Sequence, residues 1–384
     1  MRTLTVLLAT AALAIAADPQ FREHVIATDL KGGYHVVAID MNHDGKIDLI
    51  ALASGMKELV WYENPNWERH VITGNLNHMI NVAAWDTDGD GIPELVLATE
   101  FANVAKNSIG IVSVLHHNGD PREPWTIQEI DRLTTTHRLR FADIDGSGKK
   151  VCINAPLTGA KADAPDYRDH APLVFYRPGV WKPETISDAN EGVQHGIYIN
   201  DWRGDGRDSI LTASFSGIHR NWLDKNGRWQ RAEISKGSPD PWPKGGSSDV
   251  TVGHLGKHRF LAAIEPWHGN IVSVYNEGKK DEFTRGVIDT KLVDGHTIIT
   301  ADLDGNKHDA IIAGYRGTGR SVYIYRADDA KGTKWSRTTL DDGGIGAAAC
   351  AAADFNSDGR IDIACIGSAT TNLKWYENLG AKKR

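Results

Sequence analysis

The sequence has little cysteine, no cluster of basic residues and no long hydrophobic run after its first residues. Its 384 residues include three cysteines, too few for the disulfide framework of a small secreted domain. Lys and Arg number 43 against 50 Asp and Glu, and this charge balance argues against a nucleic-acid partner. A Gly-rich phosphate loop, a zinc knuckle and a Ser-His-Asp order are also missing, so none of these motifs indicates the function.

The N-terminus combines a basic start, an apolar stretch and small residues. Arg2 precedes an apolar run over residues 4–17, and Ala14-Ile15-Ala16 gives a small-x-small cleavage pattern. This pattern predicts a signal peptide over residues 1–17, a single mature domain over 18–384 and a secreted or periplasmic location. The run is too short for a membrane anchor, and no other segment predicts a membrane span.

One stretch recurs seven times and organises the chain. Each copy is a short apolar, β-branched run followed by a turn that contains glycine; the turn is acidic in six copies and has lost its acids in the copy at residues 247–256. The copies cover residues 34–45, 78–91, 137–148, 195–206, 247–256, 295–305 and 348–359. Equivalent turn positions recur every 46 to 58 residues, a period typical of propeller blades rather than helical solenoids.

A second repeat has the same spacing and supports the division into seven units. It is a strand that begins with an aromatic residue and alternates polar and apolar residues. It covers residues 21–26, 67–72, 125–130, 181–186, 229–234, 283–288 and 335–340. Its first copy precedes the first acidic turn, whereas the chain ends without one. We therefore predict an all-β, seven-bladed β-propeller in which the N-terminal strand completes the last blade and closes the ring. A closed ring needs no partner chain, so a monomer is the default.

The best acidic turns have carboxylates or amides at alternate positions and a glycine at the bend. Ca²⁺ requires this oxygen chemistry, and the spacing resembles the start of an EF-hand loop. The alternative is that the Asp side chains cap the turn themselves. The predicted structural calcium ligands are Asp40, Asn42, Asp44, Asp48, Asp86, Asp88, Asp90, Glu94, Asp354, Asn356, Asp358 and Asp362.

Histidines recur at the start of the innermost strands. His137, His195 and His296 each stand six residues before the first acid of their turns, and His35 stands five before. Innermost strands begin around one mouth of the central channel, so these side chains should converge there. Converging neutral imidazoles can hold Zn²⁺ or Mn²⁺, or they can act as a general acid and a general base. The alternative is that the histidines form a hydrogen-bonded ring that only fills the channel.

Loops between second and third strands should emerge on the same face and carry polar and aromatic residues. An indole beside charged groups suits a sugar ring, because the C–H face of the sugar stacks on the aromatic ring. The predicted substrate-binding residues are Glu100, Trp267, Arg316 and Arg140. The predicted catalytic residues are His78, His268, Arg138 and Tyr315, with either imidazole as the base.

The acidic turns at residues 40–45 and 354–359, with the segment 61–65, resemble the FG-GAP/VCBS repeat proteins over essentially the whole mature chain. The inner strands at 33–35 and 194–196 resemble the propeller domain of aldos-2-ulose dehydratase. That family eliminates water from oxidised sugars with a divalent metal, which implies the same chemistry here. The cupin part that such enzymes can carry is missing from this sequence, which puts a second isomerisation step in doubt.

Two functions from different classes follow. The first is an exported, metal-dependent carbohydrate lyase or dehydratase that removes a proton and eliminates a hydroxyl or glycosyl group. The alternative is a non-catalytic propeller that binds a glycan or a protein and uses calcium structurally. Hydrolysis by a metal-bound water would use the first site but give another product. Cys350 and Cys365 flank one turn, and the sequence leaves open whether they form a disulfide or remain buried thiols.

Overall fold

Seven four-stranded antiparallel sheets form the blades of one ring in the computed structural model, which describes residues 19–279 and 281–381. The all-β, seven-bladed prediction is confirmed. Within these residues the only helical element is a 3₁₀ turn, Ala105–Asn107. No helix among them is long and apolar enough to cross a membrane. The predicted signal peptide lies outside the described residues.

Strands are numbered in chain order, and blades 1 to 3 follow one another without interruption. Blade 1 comprises β2 (Gly33–Ile39), β3 (Asp48–Ala53), β4 (Leu59–Glu63) and β5 (Glu68–Thr73). Blade 2 comprises β6 (Asn81–Trp85), β7 (Glu94–Thr99), β8 (Ile111–His116) and β9 (Thr126–Arg132). Blade 3 comprises β10 (Thr136–Ala142), β11 (Val151–Pro156), β12 (His170–Tyr176) and β13 (Pro183–Glu191).

Blades 4 to 7 continue the ring. Blade 4 comprises β14 (Gln194–Asn200), β15 (Ser209–Ser214), β16 (Gly217–Leu223) and β17 (Trp229–Ser235). Blade 5 comprises β18 (Asp249–Leu255), β19 (His258–Glu265), β20 (Ile271–Glu277) and β21 (Phe283–Asp289). Blade 6 comprises β22 (Gly295–Ala301), β23 (Ala310–Tyr315), β24 (Ser321–Ala327) and β25 (Trp335–Asp342). Blade 7 comprises β26 (Ala347–Ala353), β27 (Asp362–Gly367), β28 (Leu373–Ala381) and β1 (Pro19–Ala27).

The second strand of each blade forms the core. All six residues of β3, β7, β11, β15, β23 and β27 are buried, because these strands pack against a neighbouring blade on both faces. The fourth strands lie at the rim and are mostly exposed, as the alternating polar pattern of β9 illustrates. The innermost strands contact one another around the channel and set the positions of the site.

The N-terminal strand pairs antiparallel with β28, so blade 7 contains both ends of the described chain. Lys374 of β28 strengthens this junction. Its ammonium group lies 3.0 Å from Glu23 of β1 and 3.0 Å from Asp341 of blade 6. Lys374 and Asp341 are both buried, so this pair links two neighbouring blades through charges that solvent screens weakly.

The acidic turns are capped by their own carboxylates. Asp40 accepts hydrogen bonds from the backbone N–H groups of Asn42, Asp44 and Gly45, and Asp48 accepts from Met41 and Asn64. The turn of blade 7 repeats this arrangement with Asp354 and Asp362. In blade 2, Asp86, Asp88 and Glu94 bring one oxygen each within 4.8 Å of the others. Calcium binding in the turns stays a prediction.

Cys350 and Cys365 form a disulfide, which resolves the alternatives that the sequence left open. The two residues are directly opposite each other on β26 and β27. Cys152 is a buried free thiol.

Candidate functional site

The site begins with a β-bulge at the start of the innermost strands. In blades 3, 4 and 6 the pairing skips one residue, which is His137, His195 or His296. Such a residue is left unpaired, and the local bend re-aims its side chain. The same bulge occurs at Tyr34 in blade 1 and at Ala348 in blade 7. Blade geometry therefore directs a set of equivalent side chains toward the mouth of the channel.

Three histidines meet there. One ring nitrogen from each of His195, His268 and His296 lies within 4.8 Å of the other two. His268 comes from the loop between β19 and β20 rather than from an innermost strand. Its backbone N–H donates to Ser248 Oγ at 3.2 Å, which holds the loop against blade 5. We call these three residues the histidine trio.

Backbone carbonyls fix two members of the trio. His195 Nδ1 lies 3.1 Å from Ser248 O, and His296 Nδ1 lies 2.6 Å from Ala348 O. A carbonyl can only accept, so each Nδ1 carries the proton and each Nε2 keeps its lone pair. His296 Nε2 is buried and has no hydrogen-bond partner among the described residues. Such an orphaned acceptor fits the role of a metal ligand.

His268 has two arrangements that satisfy its neighbours. Its Nδ1 lies 3.3 Å from both Asp294 Oδ1 and Arg316 Nη2, and its Nε2 lies 3.2 Å from His195 Nε2. With the proton on Nε2, the ring donates to His195 and accepts from Arg316. With the proton on Nδ1, it donates to Asp294 and frees Nε2, which then joins the other two lone pairs. The second arrangement has the carboxylate-histidine-metal geometry common at zinc sites.

The trio is held neutral. Burial is the main cause that lowers the pKa of all three imidazoles, and the pKa of His268 falls to about 4. The second cause is the charge of Arg138 for His195 and that of Arg316 for the other two. Neutral imidazole is the form that binds a metal, so both effects favour ligation.

His137 lies beside the trio with different partners. Its Nε2 lies 2.9 Å from Tyr34 Oη and 3.0 Å from Arg138 Nη1, and its ring centroid is 5.0 Å from that of His195. Arg138 also reaches the trio, with Nη2 3.4 Å from His195 Nε2. Two donors therefore occupy Nε2 of His137, whereas its Nδ1 is buried without a hydrogen-bond partner among the described residues. The ring forms a second polar group with Tyr34 and Arg138.

The structure places His35 outside the trio. His35 is paired with Leu52 in the regular part of β2, one position after the bulge, so its side chain points to the other face of the strand. Its Nδ1 is buried without a hydrogen-bond partner in the described residues. Tyr34 occupies the position equivalent to the site histidines.

The other predicted residues divide between the mouth of the channel and its surroundings. His78, with 71% of its side chain exposed, lines the rim 4.0 Å from Glu100. Arg140 lies deeper, donates to Asn81 and Leu139 O, and has a pKa lowered to about 10 by burial and then by Arg138. Tyr315 is packed in the core of blades 5 and 6.

A cavity of about 460 Å³ opens at the mouth of the channel, and His195 and His268 of the trio line it. Trp267 and Phe101 give it aromatic walls, and Arg316 contributes its one arginine. Arg316 forms a two-point ion pair with Asp294, with N–O distances of 3.0 and 3.2 Å. No Asp or Glu is among the described residues that line the cavity. The polar side chains that the cavity offers to a ligand are therefore imidazole, phenol, guanidinium, hydroxyl and amide groups.

Two site residues were missed from the sequence, and one had a usable signal. Tyr34 stands six residues before Asp40, the same spacing as the three bulged histidines, so counting positions rather than histidines would have found it. Asp294 stands two residues before His296 but has no equivalent in other blades. Its contact with His268 arises between blades and leaves no local pattern.

The comparisons with known proteins agree with this architecture. Residues 109–280 match the family described as the β-propeller domain of aldos-2-ulose dehydratase, and residues 40–97 and 302–365 match FG-GAP-like repeats. Aldos-2-ulose dehydratase of Phanerodontia chrysosporium is 26% identical over 295 residues, which are 67% of this chain. The chain spans about a third of the length of that relative, since the match covers 32% of it.

Two solved structures share the fold. A lectin from Agrocybe aegerita, solved for its recognition of non-reducing terminal N-acetylglucosamine, superposes with a TM-score of 0.53 at 15% identity. The superposition covers 92% of this chain and 87% of the lectin chain. BBS1N, in complex with ARL6DN, superposes with a TM-score of 0.56 at 11% identity and covers 93% and 96% of the two chains. The chain is a seven-bladed β-propeller with FG-GAP-like repeats that resembles the propeller domain of aldos-2-ulose dehydratase.

Proposed function

We propose that this protein is a metal-dependent carbohydrate lyase or dehydratase that acts at the mouth of its channel. The observation that carries the proposal is the histidine trio, in which His195 and His296 present buried lone pairs toward one point beneath an open cavity. The relation to a sugar dehydratase supports the reaction class. The carbohydrate substrate and the metal are parts of the proposal.

His195, His268 and His296 are the residues that would hold the metal, most simply Zn²⁺ or Mn²⁺. A divalent ion there would act as a Lewis acid toward a sugar carbonyl and stabilise negative charge on its oxygen. This assignment changes the role of His268 from a base to a ligand, because its Nε2 faces His195. It also removes His137 and His35 from the ligand set.

Tyr34 and His137 are placed to move the proton. The phenol and the imidazole share a hydrogen bond of 2.9 Å, and both line the cavity. Arg138 Nη1 lies 3.4 Å from the phenol oxygen, so the guanidinium and the imidazole together fix the position of the phenol. We propose that this pair takes the proton from the carbon beside the carbonyl, after which a hydroxyl or glycosyl group leaves the adjacent carbon. His78 at the rim is the alternative base.

The other cavity residues would bind and orient the sugar. Trp267 and Phe101 suit stacking against the C–H face of a sugar ring, and Arg316 would donate to a carboxylate or hydroxyl. The absence of lining carboxylates among the described residues disfavours a glycosidase, which requires a pair of them. Elimination needs one base and one stabilised oxyanion, and this cavity can supply both.

We also propose a secreted or periplasmic location. The Cys350–Cys365 disulfide supports it, because disulfides persist in oxidising compartments and are rare in the cytosol.

The direct test is turnover of oxidised sugars and glycosides by the purified protein supplied with Zn²⁺ or Mn²⁺, followed by ultraviolet absorbance of unsaturated products. We expect His195→Ala to abolish product formation and Tyr34→Phe to lower kcat by about 10²-fold or more. His170→Ala changes an exposed histidine and serves as the control. Saturable sugar binding without turnover, unchanged in His195→Ala, would favour the non-catalytic binding module instead.

A further inference from the structure

Blade 4 departs from the repeat at one buried position. Arg220 of β16 lies opposite Leu211, and the equivalent position in every other blade is apolar. In each blade the equivalent residue is on the third strand, opposite the third buried residue of the second strand. These residues are Trp61, Val114, Phe175, Val274, Ile324 and Trp375. A charged side chain at a core position of one blade alone requires a specific compensation.

Two further departures lie next to Arg220. Arg203 occupies the third position of the acidic turn, where Asn42, Asp88 and Asn356 stand in other blades. Trp222 stands two residues after Arg220 on β16. The residue at this position is polar in the other six blades. Both residues line the same cleft as Arg220, so the irregularities of blade 4 converge in space.

This cleft has a volume of about 660 Å³ and lies on the acidic-turn face, opposite the histidine trio. Its wall is a ladder of alternating Arg and Trp side chains. The guanidinium of Arg259 lies 3.8 Å from the ring centre of Trp202. That of Arg220 lies 5.1 Å from Trp202 and 4.0 Å from Trp222. The ladder holds three cations side by side, since Arg203 completes it.

Arg220 is the buried ladder member whose hydrogen-bonding capacity is unused. It is 6% exposed, its Nε is buried without a partner, and its guanidinium donates no hydrogen bond within the described residues. Asp281 lies 3.6 Å from its Nη1, outside hydrogen-bond distance, and accepts instead from the Trp202 indole at 2.8 Å. Arg259, by contrast, forms a two-point ion pair with Glu277.

We propose that the cleft is a second ligand site, in which Arg220 binds an oxyanion such as the carboxylate, sulfate or phosphate group of a small ligand. Leaving a buried guanidinium without hydrogen bonds is unfavourable, and an oxyanion supplies acceptors that match its planar donors. The flanking indoles hold the guanidinium plane in place, so little side-chain entropy is lost when the ligand binds. Arg203 at the open end adds a second cation.

The test is isothermal titration calorimetry of the whole protein with sulfate, phosphate, glucuronate and neutral glucose at constant ionic strength. We expect saturable binding of at least one anion that depends on Arg220, at one site per chain, and no Arg220-dependent binding of glucose. The preferred anion identifies the source of the oxyanion. His195→Ala should bind as the wild type does, which separates this site from the proposed catalytic one.

Arg220→Leu restores the apolar character of the other blades, so we expect a folded protein with binding weakened about tenfold or more. Arg228→Leu, at an exposed arginine of the same blade, should leave the affinity unchanged. Arg220→Lys keeps the charge but not the planar donors, and should bind more weakly than the wild type. Failure of all three anions to bind saturably, or equal binding by Arg220→Leu and the wild type, would overturn the proposal.

Discussion

His195 Nε2 and His268 Nε2 lie 3.2 Å apart in the mouth of the channel. Two unprotonated nitrogens repel each other at this distance, so either a proton or a metal ion must lie between them. A shift of the His268 proton from Nε2 to Nδ1, where Asp294 accepts it, converts the first state into the second. A proton on His268 Nε2 therefore satisfies the pair without a cation, and its shift to Nδ1 would free both nitrogens to hold one.

The first prediction concerns metal content. After dialysis against metal-free buffer, the wild type should retain about one zinc or manganese ion per chain. His195→Ala, His268→Ala and His296→Ala should each lose it, because each removes one of three ligands. His137→Ala should keep it, since donors from Tyr34 and Arg138 occupy that ring. Metal analysis by mass spectrometry measures this, and retention by the three trio variants would contradict the assignment.

The second prediction concerns Asp294. Asp294→Asn should weaken metal affinity about 10- to 100-fold, because a neutral amide stabilises the Nδ1 proton of His268 less than a carboxylate does. Competition with a fluorescent chelator gives the dissociation constant. Asp342→Asn, at an exposed carboxylate, is the matched control. Equal affinities in the two variants would show that Asp294 only pairs with Arg316.

The third prediction concerns acid stability. Burial, and then the charge of Arg231, lowers the pKa of His219 from 6.5 to about 4. Between these values the unfolded chain binds a proton at His219 and the folded chain does not, so stability falls as the pH decreases from 6.5 toward 4. The loss attributable to His219 should reach about 3 kcal/mol. Urea unfolding between pH 7 and pH 4 measures it.

His219→Val is the informative variant, since Val60 occupies the equivalent position in blade 1. It should flatten this part of the stability profile. The control His254→Val, at an exposed histidine, should leave the profile as it is. An unchanged slope in His219→Val would mean that other groups determine the acid sensitivity.

The fourth prediction concerns the disulfide. Replacing Cys350 and Cys365 together by Ala should destabilise the protein by about 3 kcal/mol, because the bond closes a segment with a separation of 15 residues. Guanidinium unfolding measures the difference, and Cys152→Ala is the cysteine control. A reductant should destabilise the wild type and leave the double variant unaffected. A wild type insensitive to the reductant would count against a stabilising role.

The fifth prediction concerns calcium. Asp86, Asp88 and Glu94 form the acidic turn whose oxygens converge, so Ca²⁺ should raise the wild-type melting temperature and Asp88→Asn should reduce the increase. Asp205→Asn lies in the turn where Arg203 replaces a ligand position, and it should not change the response. Equal responses in all three proteins, or none in the wild type, would leave the carboxylates as turn caps only.

The number of blades and the positions of their strands were predictable because the sequence repeats once per blade. An acidic turn marks the end of the innermost strand in six of the seven blades, and the aromatic-led strand marks the rim in all seven, so two independent patterns agree. The cluster at the channel mouth was predictable in outline for the same reason, since His195 and His296 share one position in two blades.

The exact membership of the cluster depends on features that a repeat does not encode. His35 and Tyr34 are neighbours in sequence, but the bulge of β2 turns only Tyr34 toward the mouth. His268 lies in a loop whose position depends on Ser248 and on Glu265, a buried carboxylate bound by Arg285 and Ser273. Asp294 reaches His268 from the next blade. These contacts join distant segments, and spacing along one strand cannot reveal them.

The bulge at the start of the innermost strands separates the chemistry of the mouth from the stability of the blades. A bulged residue makes no ladder pair, so exchanging it leaves the hydrogen bonds of its sheet in place. The same backbone position already carries tyrosine in blade 1, histidine in three blades and alanine in blade 7. Propellers of this kind can therefore acquire a new reaction by changing a few unpaired side chains, and Ala348 is the bulged position that at present carries no functional group.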